Sequence, residues 1–246
     1  MKAHQRIVRE ERAVTDTDNL FGNWWDVLNK DLSKTIVKPI THQEAKEIIE
    51  KYEWLGCMSA INLFYFGIFF DGACGGCVVY GLEYSENLGV WDKYDYTGKM
   101  ILLSRGVCVH WTPKNTGSKL IMESIRLLPE KYKIVTCTVD ALAGEIGTIY
   151  QACNFHYIGN MRENNPNVKN ALPRDAWKIK GKLYGSRAIR AKIGSQRKEE
   201  ILKYFPDAEY CEQKSKERYF YFTGSRKEKA YHLSKIQDFI KDYPKR

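Results

Sequence analysis

No apolar run in this chain approaches the roughly 18 residues that a membrane-spanning helix needs, so the sequence offers no helical membrane anchor. Histidine is scarce, with 5 in 246 residues, and no two stand at the spacing of a metal site. The seven cysteines, at positions 57, 74, 77, 108, 137, 153 and 211, are an odd and scattered set. That is not a secreted disulfide framework, and it points to a reducing cytoplasm. The opening Met1-Lys2-Ala3-His4-Gln5-Arg6 is polar, unlike a signal peptide. There is no internal repeat, no low-complexity tract and no Gly-Lys-Ser/Thr phosphate loop. A soluble, cytoplasmic protein is expected.

What is present is unevenly distributed. Residues 1–177 carry 20 Lys and Arg against 21 Asp and Glu, whereas residues 178–246 carry 19 against 9, a net of +10 in the last third. Such asymmetry favours a polyanionic partner, and nucleic acid is the commonest; a solvated basic face is the alternative. The length suits one domain with an appendage or two small domains.

The first 40 residues mix charge with Phe21, Trp24, Trp25 and Val27, and read as an arm packed on the domain. Thr41-His42-Gln43-Glu44 has the form of a capping box, and Ala45, Ile48 and Ile49 follow at helical spacing, which predicts a helix over 42–53. Residues 63–70 and 73–80 are β-rich and flank the turn signal Asp71-Gly72, a hairpin. Further strands are predicted over 100–109, 132–139 and 155–158, with helices over 117–128 and 144–153 between them. Beyond the loop Asn164-Asn165-Pro166-Asn167, a strand is expected at 177–179, a helix over 195–204, a strand over 218–222 and a last helix over 227–240.

Three places invite chemistry. Asp140 at a strand end, the glycine-flanked Gly144-Glu145-Ile146-Gly147 turn and the following Thr148-Ile149-Tyr150 put Asp140 and Tyr150 close together at a sheet edge, where ligands tend to bind. Arg105 lies inside an apolar strand and must meet a carboxylate or a phosphate; Asp140 is the expected partner, either for structure alone or for catalysis. The segment between the 100–109 strand and the next helix brings Lys114, Asn115, Thr116, Gly117, Ser118 and Lys119 to a helix start, where free N–H groups face an anion. Cys74-Gly75-Gly76-Cys77 has no second metal-ligand pair and reads as close packing. His110 and His156 are structural by default and are the remaining candidates for a metal such as iron. Trp54, Tyr65, Trp91 and Trp111 are candidate stacking surfaces, although most aromatics are core.

The strand, loop and helix order resembles the acetyltransferase (GNAT) superfamily, in which this loop cradles the pyrophosphate of an acyl-coenzyme A. Of that loop's usual Arg/Gln-x-x-Gly-x-Gly, only Gly117 and Ser118 match, with Asn115 where a glycine is expected. A fuller resemblance, over roughly residues 45–246, is to the Mom family of phage DNA-modification proteins. It rests on Leu55-Gly56, Phe66-Gly67, Asp71-Gly72, Leu103-Ser104-Arg105-Gly106-Val107, residues 115–118, the 140–150 block, Gly181-Lys182, Arg187, Lys216-Glu217-Arg218-Tyr219 and Tyr243-Pro244-Lys245-Arg246. Members of that family tend to carry a histidine before the Leu-Gly and another in the Gly-x-x-Gly turn, where this chain has Tyr52-Glu53-Trp54 and Glu145.

The resemblance implies an α/β (α+β) fold with a GNAT-like mixed central sheet flanked by helices, divided into an arm (1–40), a catalytic core (41–177) and a basic extension (178–246). It implies a transferase adding a carbamoylmethyl-type group to the exocyclic amine of adenine in double-stranded DNA, which protects phage DNA from restriction in the host bacterial cytoplasm. Arg105, Asp140 and Tyr150 are the expected catalytic residues, with Asp140 taking or orienting an amine proton and Tyr150 donating. Residues 114–119 are the expected cofactor loop, for an acyl-coenzyme A-type donor, and iron is a second possible cofactor. Base extrusion would call on a basic track, for which Arg187, Arg190, Lys192, Arg197, Lys198, Lys216 and Arg218 are the candidates, with Lys214, Arg226 and Lys227. Two other readings stay open: an acyl-coenzyme A-dependent N-acyltransferase acting on a small amine or protein, and a non-catalytic DNA-binding protein.

Overall fold

Asp71 and Gly72 both adopt positive φ, 45° and 89°, the geometry that joins antiparallel strands through a two-residue turn. In the computed structural model, which describes residues 2–17, 22–83, 89, 91–160, 174–213 and 216–245, this turn connects β2 (Phe64–Phe70) to β3 (Ala73–Gly81). They join β1 (Ile36–Pro39), β4 (Met100–Cys108), β5 (Ile134–Val139), β6 (His156–Gly159) and β10 (Glu217–Phe222) in one seven-stranded sheet of order β1-β2-β3-β4-β5-β10-β6. Three short strands, β7 (Arg174–Ile179), β8 (Lys182–Gly185) and β9 (Glu209–Gln213), form a second sheet of order β8-β7-β9. The fold is the expected mixed α/β class, a mostly antiparallel sheet with helices on both faces.

The alternation along β3 decides what covers each face. Val78 and Tyr80 point into the larger core with Leu120, Ile121 and Ile125 of α3 (Thr116–Leu127), while Cys77 and Val79 point the other way onto Ala45 and Ile49 of α2 (His42–Tyr52). Helix α2 starts where the capping box predicts: the Glu44 amide donates to Thr41 Oγ1 at 3.2 Å and the Thr41 amide donates to Glu44 Oε2 at 2.7 Å. The glycines of the Cys74–Cys77 run serve close packing, since a Cβ on Gly76 would stand 2.4 Å from the Val107 carbonyl oxygen. Among the described residues, no helix is long and apolar enough to cross a membrane.

Several elements depart from the sequence reading. The helix predicted over 144–153 shrinks to α4 (Thr148–Ala152), because Gly144 and Gly147 sit at φ of +73° and +69°, outside any helix. The arm contains a twelve-residue helix, α1 (His4–Thr15), and β1, β8, β9 and a short helix α5 (Ser186–Ile193) were not predicted. Helix α6 (Lys198–Tyr204) starts later than expected, and α7 (Arg226–Ser234) ends earlier, followed by a 3-10 turn at Gln237–Phe239. The Asn164 to Asn167 loop and Lys214 lie outside the described residues. The last third of the chain does not stand apart, because β10 is inserted between β5 and β6, and residue 177 falls within β7.

Strand β10 is anchored by a buried charge. Arg218 Nη1 lies 2.6 Å from Glu83 Oε2, which also accepts from Thr136 Oγ1 at 2.6 Å, and the guanidinium lies over the Trp91 ring. Glu83 is only 4% exposed. Arg218 is therefore committed to the fold as a structural cation, not to a phosphate contact as the sequence suggests. Removing one partner of such a pair strands the other, at a cost of about 3–5 kcal/mol. Arg218→Met is expected to lower unfolding free energy by that order in urea titration; a loss below about 1 kcal/mol would contradict the role.

Candidate active site

Strands β4 and β5 pair in parallel only from Met100↔Ile134 to Leu102↔Thr136. Past that point β4 follows β3 and β5 follows β10, the two separate, and their facing backbones are left without each other. A cavity of about 610 Å³ occupies the gap, walled by residues 103–108 on one side and by Thr138 and Val139 on the other. It opens beyond the carboxyl end of β5, the usual ligand position in a sheet with a parallel pair. The β3–β4 register slips between Val79↔Arg105 and Tyr80↔Leu103, so Ser104 is an extra residue and β4 bulges beside Arg105.

At one end of the cavity five charged groups converge from chain-distant segments. Glu53 follows α2, Arg105 lies on β4, Asp140 and Glu145 belong to the turn after β5, and Lys216 leads into β10. Arg105 does not pair with Asp140 as expected: its Nε donates to the Cys57 carbonyl at 2.8 Å and its Nη1 to the Ser104 carbonyl at 2.7 Å, while its charge acts on Glu53. Asp140 Oδ1 accepts from the Leu142 amide at 3.1 Å and caps the 3-10 turn Ala141–Ala143. It is 3% exposed and lies behind the cavity wall, so its place is that of a capping residue under the site. The turn it builds delivers Glu145, whose Oε1 accepts from Trp54 Nε1 at 3.0 Å and whose Oε2 accepts from the Asp140 amide at 3.3 Å.

Burial pushes the carboxyls of Glu53 and Glu145 up and the Lys216 ammonium down. For Glu53 the result is about 7, with Arg105 opposing the rise and the Glu145 charge adding to it. The two positions at which the sequence departs from the family's histidines are thus electrostatic neighbours. Tyr150 also lines the cavity; its ring packs on Phe155 and Tyr219, and burial together with a hydrogen bond to the Cys137 thiol pushes its hydroxyl well above the ordinary range.

The other end of the cavity is the start of α3. Asn115 sits at φ 68°, and no side-chain hydrogen bond caps the helix, so first-turn N–H groups stay available to an anion. Lys114, Asn115, Thr116 and Gly117 line the cavity. Gly117 must stay bare, since a Cβ there would stand 2.5 Å from Ile149 Cδ1. Lys119 instead pairs with Glu123 at 2.7 Å one turn along the helix, and Ser118 offers its carbonyl to the Cys153 thiol, so these two turn away from the expected loop. The residues fit the phosphates of a nucleotide-type donor. They do not fit iron: among the described residues no three His, Cys, Asp or Glu are grouped to hold a metal ion. His110 packs against Trp25 and His156 lies near Phe222, each kept neutral by burial.

Helix α1 closes one side. Arg9 Nη2 donates to the carbonyls of His110 and Thr112, both at 2.9 Å, and the Gln5 side chain bridges the Tyr52 carbonyl and the Trp54 amide. Both residues line the cavity, one turn apart on the helix. Of the aromatic candidates, Trp54 alone lines the cavity; Trp91 and Trp111 are buried in the cores and Tyr65 stands against His42. Of the basic candidates, Arg190, Arg197 and Lys198 are exposed on or before α5 and α6, and a Cβ on Gly56 would lie 3.9 Å from Lys192 Nζ. Lys216 belongs to the cavity rather than to a surface track. The Arg187 side chain lies outside the described residues.

A carboxyl whose folded pKa exceeds its unfolded value is best tolerated below the unfolded value, and its contribution is lost as pH rises through the folded one. For Glu53 that window runs from 4.5 to about 7, equivalent to about 3 kcal/mol at most. Glu53→Gln removes the buried charge, so its melting temperature should exceed that of the wild type at pH 8 and converge with it at pH 5. An equal difference at both pH values would show that the carboxylate is not penalised.

Several solved structures similar to this chain are acetyltransferases. A GNAT family acetyltransferase from Elizabethkingia anophelis with acetyl-CoA bound is 11% identical over 77% of this chain and 98% of its own, with a TM-score of 0.38. An IAA acetyltransferase from Bacillus cereus is 8% identical over 77% and 99%, with a TM-score of 0.39. An N-acetyltransferase from Staphylococcus aureus is 16% identical over 51% and 86%, with a TM-score of 0.37. No curated protein sequence matches. A model of the Mom protein family matches residues 34–245, most of the chain, and the chain belongs to the Mom family.

Proposed function

We propose that this protein is a DNA-modifying transferase, which moves a group from a phosphate-bearing donor of acyl-coenzyme A type to the exocyclic amine of adenine in double-stranded DNA. The observation that carries the reading is one cavity that joins an uncapped helix start to a cluster of buried acids and bases in a chain of the Mom family. Lys114 and the amides at Asn115 to Gly117 would hold the donor's phosphates. Arg105, with its Nη2 not used in either carbonyl contact, would hold the polar part of the transferred group, and Tyr150 would steady the acceptor. An exocyclic amine is a weak nucleophile, so positioning and desolvation are what the protein can add.

An adenine inside a duplex must be extruded to reach such a cavity, and the flipped base needs an aromatic wall. Trp54 supplies one, fixed by its bond to Glu145. Arg190, Lys192, Arg197 and Lys198 would carry the flanking phosphates. The resemblance to the family implies a carbamoylmethyl-type product and protection from restriction.

Nucleoside mass spectrometry of plasmid DNA from bacteria expressing the protein tests this. A new adenosine-derived peak, lost in Arg105→Gln, is expected, and its mass identifies the group; an unchanged profile with soluble protein would move the acceptor to another amine. Phosphate contacts are tested separately, because each one lost reduces the slope of log affinity against log salt by about 0.9. The double variant Arg190→Ala, Lys198→Ala should therefore shallow the slope by nearly 2, and an unchanged slope would remove α5 and α6 from the interface.

A further inference from the structure

We infer that Glu53 is the proton acceptor of the site, taking the proton of the attacking amine; this rests on the transferase reading above. Three carboxylates surround the charged end of the cavity, and their hydrogen bonds divide them. Both oxygens of Glu145 are engaged, one by Trp54 Nε1 and one by the Asp140 amide. Asp140 caps its turn and does not line the cavity. Glu53 lines it and is held through one oxygen only: Oε2 accepts from the Leu55 amide at 2.9 Å and the Gly56 amide at 3.2 Å. Among the described residues its Oε1 has no hydrogen bond, leaving one lone-pair face for a substrate proton.

The position is rigid. Glu53 is the residue after α2, its own amide bonds back to the Ile49 carbonyl at 3.0 Å, and Gly56 turns the chain at φ +59°. Two amides aimed at one oxygen fix the rotamer and leave the other oxygen aimed elsewhere. The charges facing it come from every neighbouring element: Arg105 from β4, Glu145 and behind it Asp140 from the turn, Lys216 ahead of β10, and Lys192 of α5 beside Gly56. His4 of α1 stands against the Trp54 ring and is kept neutral by burial. Burial resists ionisation of Glu53 while Arg105 supports it, which leaves the carboxylate basic enough to accept a proton near neutral pH.

The step balances without a further reagent. The amine nitrogen forms its bond to the electrophilic carbon of the donor, the bond from that carbon to the leaving atom breaks with its electron pair, and the nitrogen's proton passes to Glu53 Oε1. Glu53 then returns the proton to solvent through the cavity mouth.

The test compares the wild type with Glu53→Gln and Glu53→Asp, measuring DNA modification against pH together with DNA and coenzyme A affinities. Expected are an acidic limb near pH 7 in the wild type, a loss of at least 100-fold in Glu53→Gln with both affinities within threefold, and partial recovery in Glu53→Asp. A loss under tenfold, or a limb that persists in Glu53→Gln, overturns the assignment. A second readout needs no activity: the infrared carboxyl band present in the wild type and missing from Glu53→Gln should fade near neutral pH. A Glu53 already ionised at pH 5 overturns the inference even if DNA is modified. A wild type that modifies no DNA while this band titrates near neutral pH overturns the DNA reading alone.

Discussion

The separation of β4 from β5 after Leu102↔Thr136 is the constraint on which the rest of the molecule depends. Had the two continued side by side, their ladder would have filled the space that the cavity now occupies. Each strand instead satisfies its backbone on the outer side, β4 with β3 and β5 with β10. Four parts of the site stand around that gap: Arg105 beside the β4 bulge, the uncapped start of α3, the turn of Asp140 and the residue ahead of β10.

Charge is concentrated where water is scarce. Two carboxylates, an arginine and a lysine share one end of a cavity with Asp140 behind its wall, and each alone would be expensive to bury. Together they restrain one another: Arg105 counters the rise of Glu53, and the acids counter the fall of Lys216. Backbone contacts hold the geometry, through the carbonyls that take Arg105 and the amides that take Glu53. Such an arrangement is stabilised by the surrounding fold rather than by its own pairings.

The elements with local signals were legible in the sequence. The Thr41 capping box, the Asp71-Gly72 turn and the β-rich composition of the central strands made α2, the hairpin and β3 to β5 legible nearly to the residue. Helix α1 was not legible, because Ala3 offers it no side-chain cap and it is held by Arg9 and Gln5 reaching distant backbone. The site divided in the same way. Arg105, Tyr150 and the 114–117 stretch line the cavity, and an arginine in an apolar strand and a loop before a helix are visible along the chain. Glu53 and Lys216 stood out only as a departure from a motif and as one basic residue among many. They converge across more than 150 positions, and Asp140 caps its turn, although a cap and a base look alike in one dimension.

Strand β10 gives the molecule a temporal property. The sheet's own β5 and β6 are made well before residue 217, yet they cannot be joined into one sheet until residues 217–222 emerge and pair with both. Lys216 arrives with that strand, after every other strand of the sheet among the described residues. A nascent chain stopped short of it would hold an open edge on β5 and an incomplete set of charges. Closure of the sheet and completion of the cavity are thus one event, and both wait on residues 216–222.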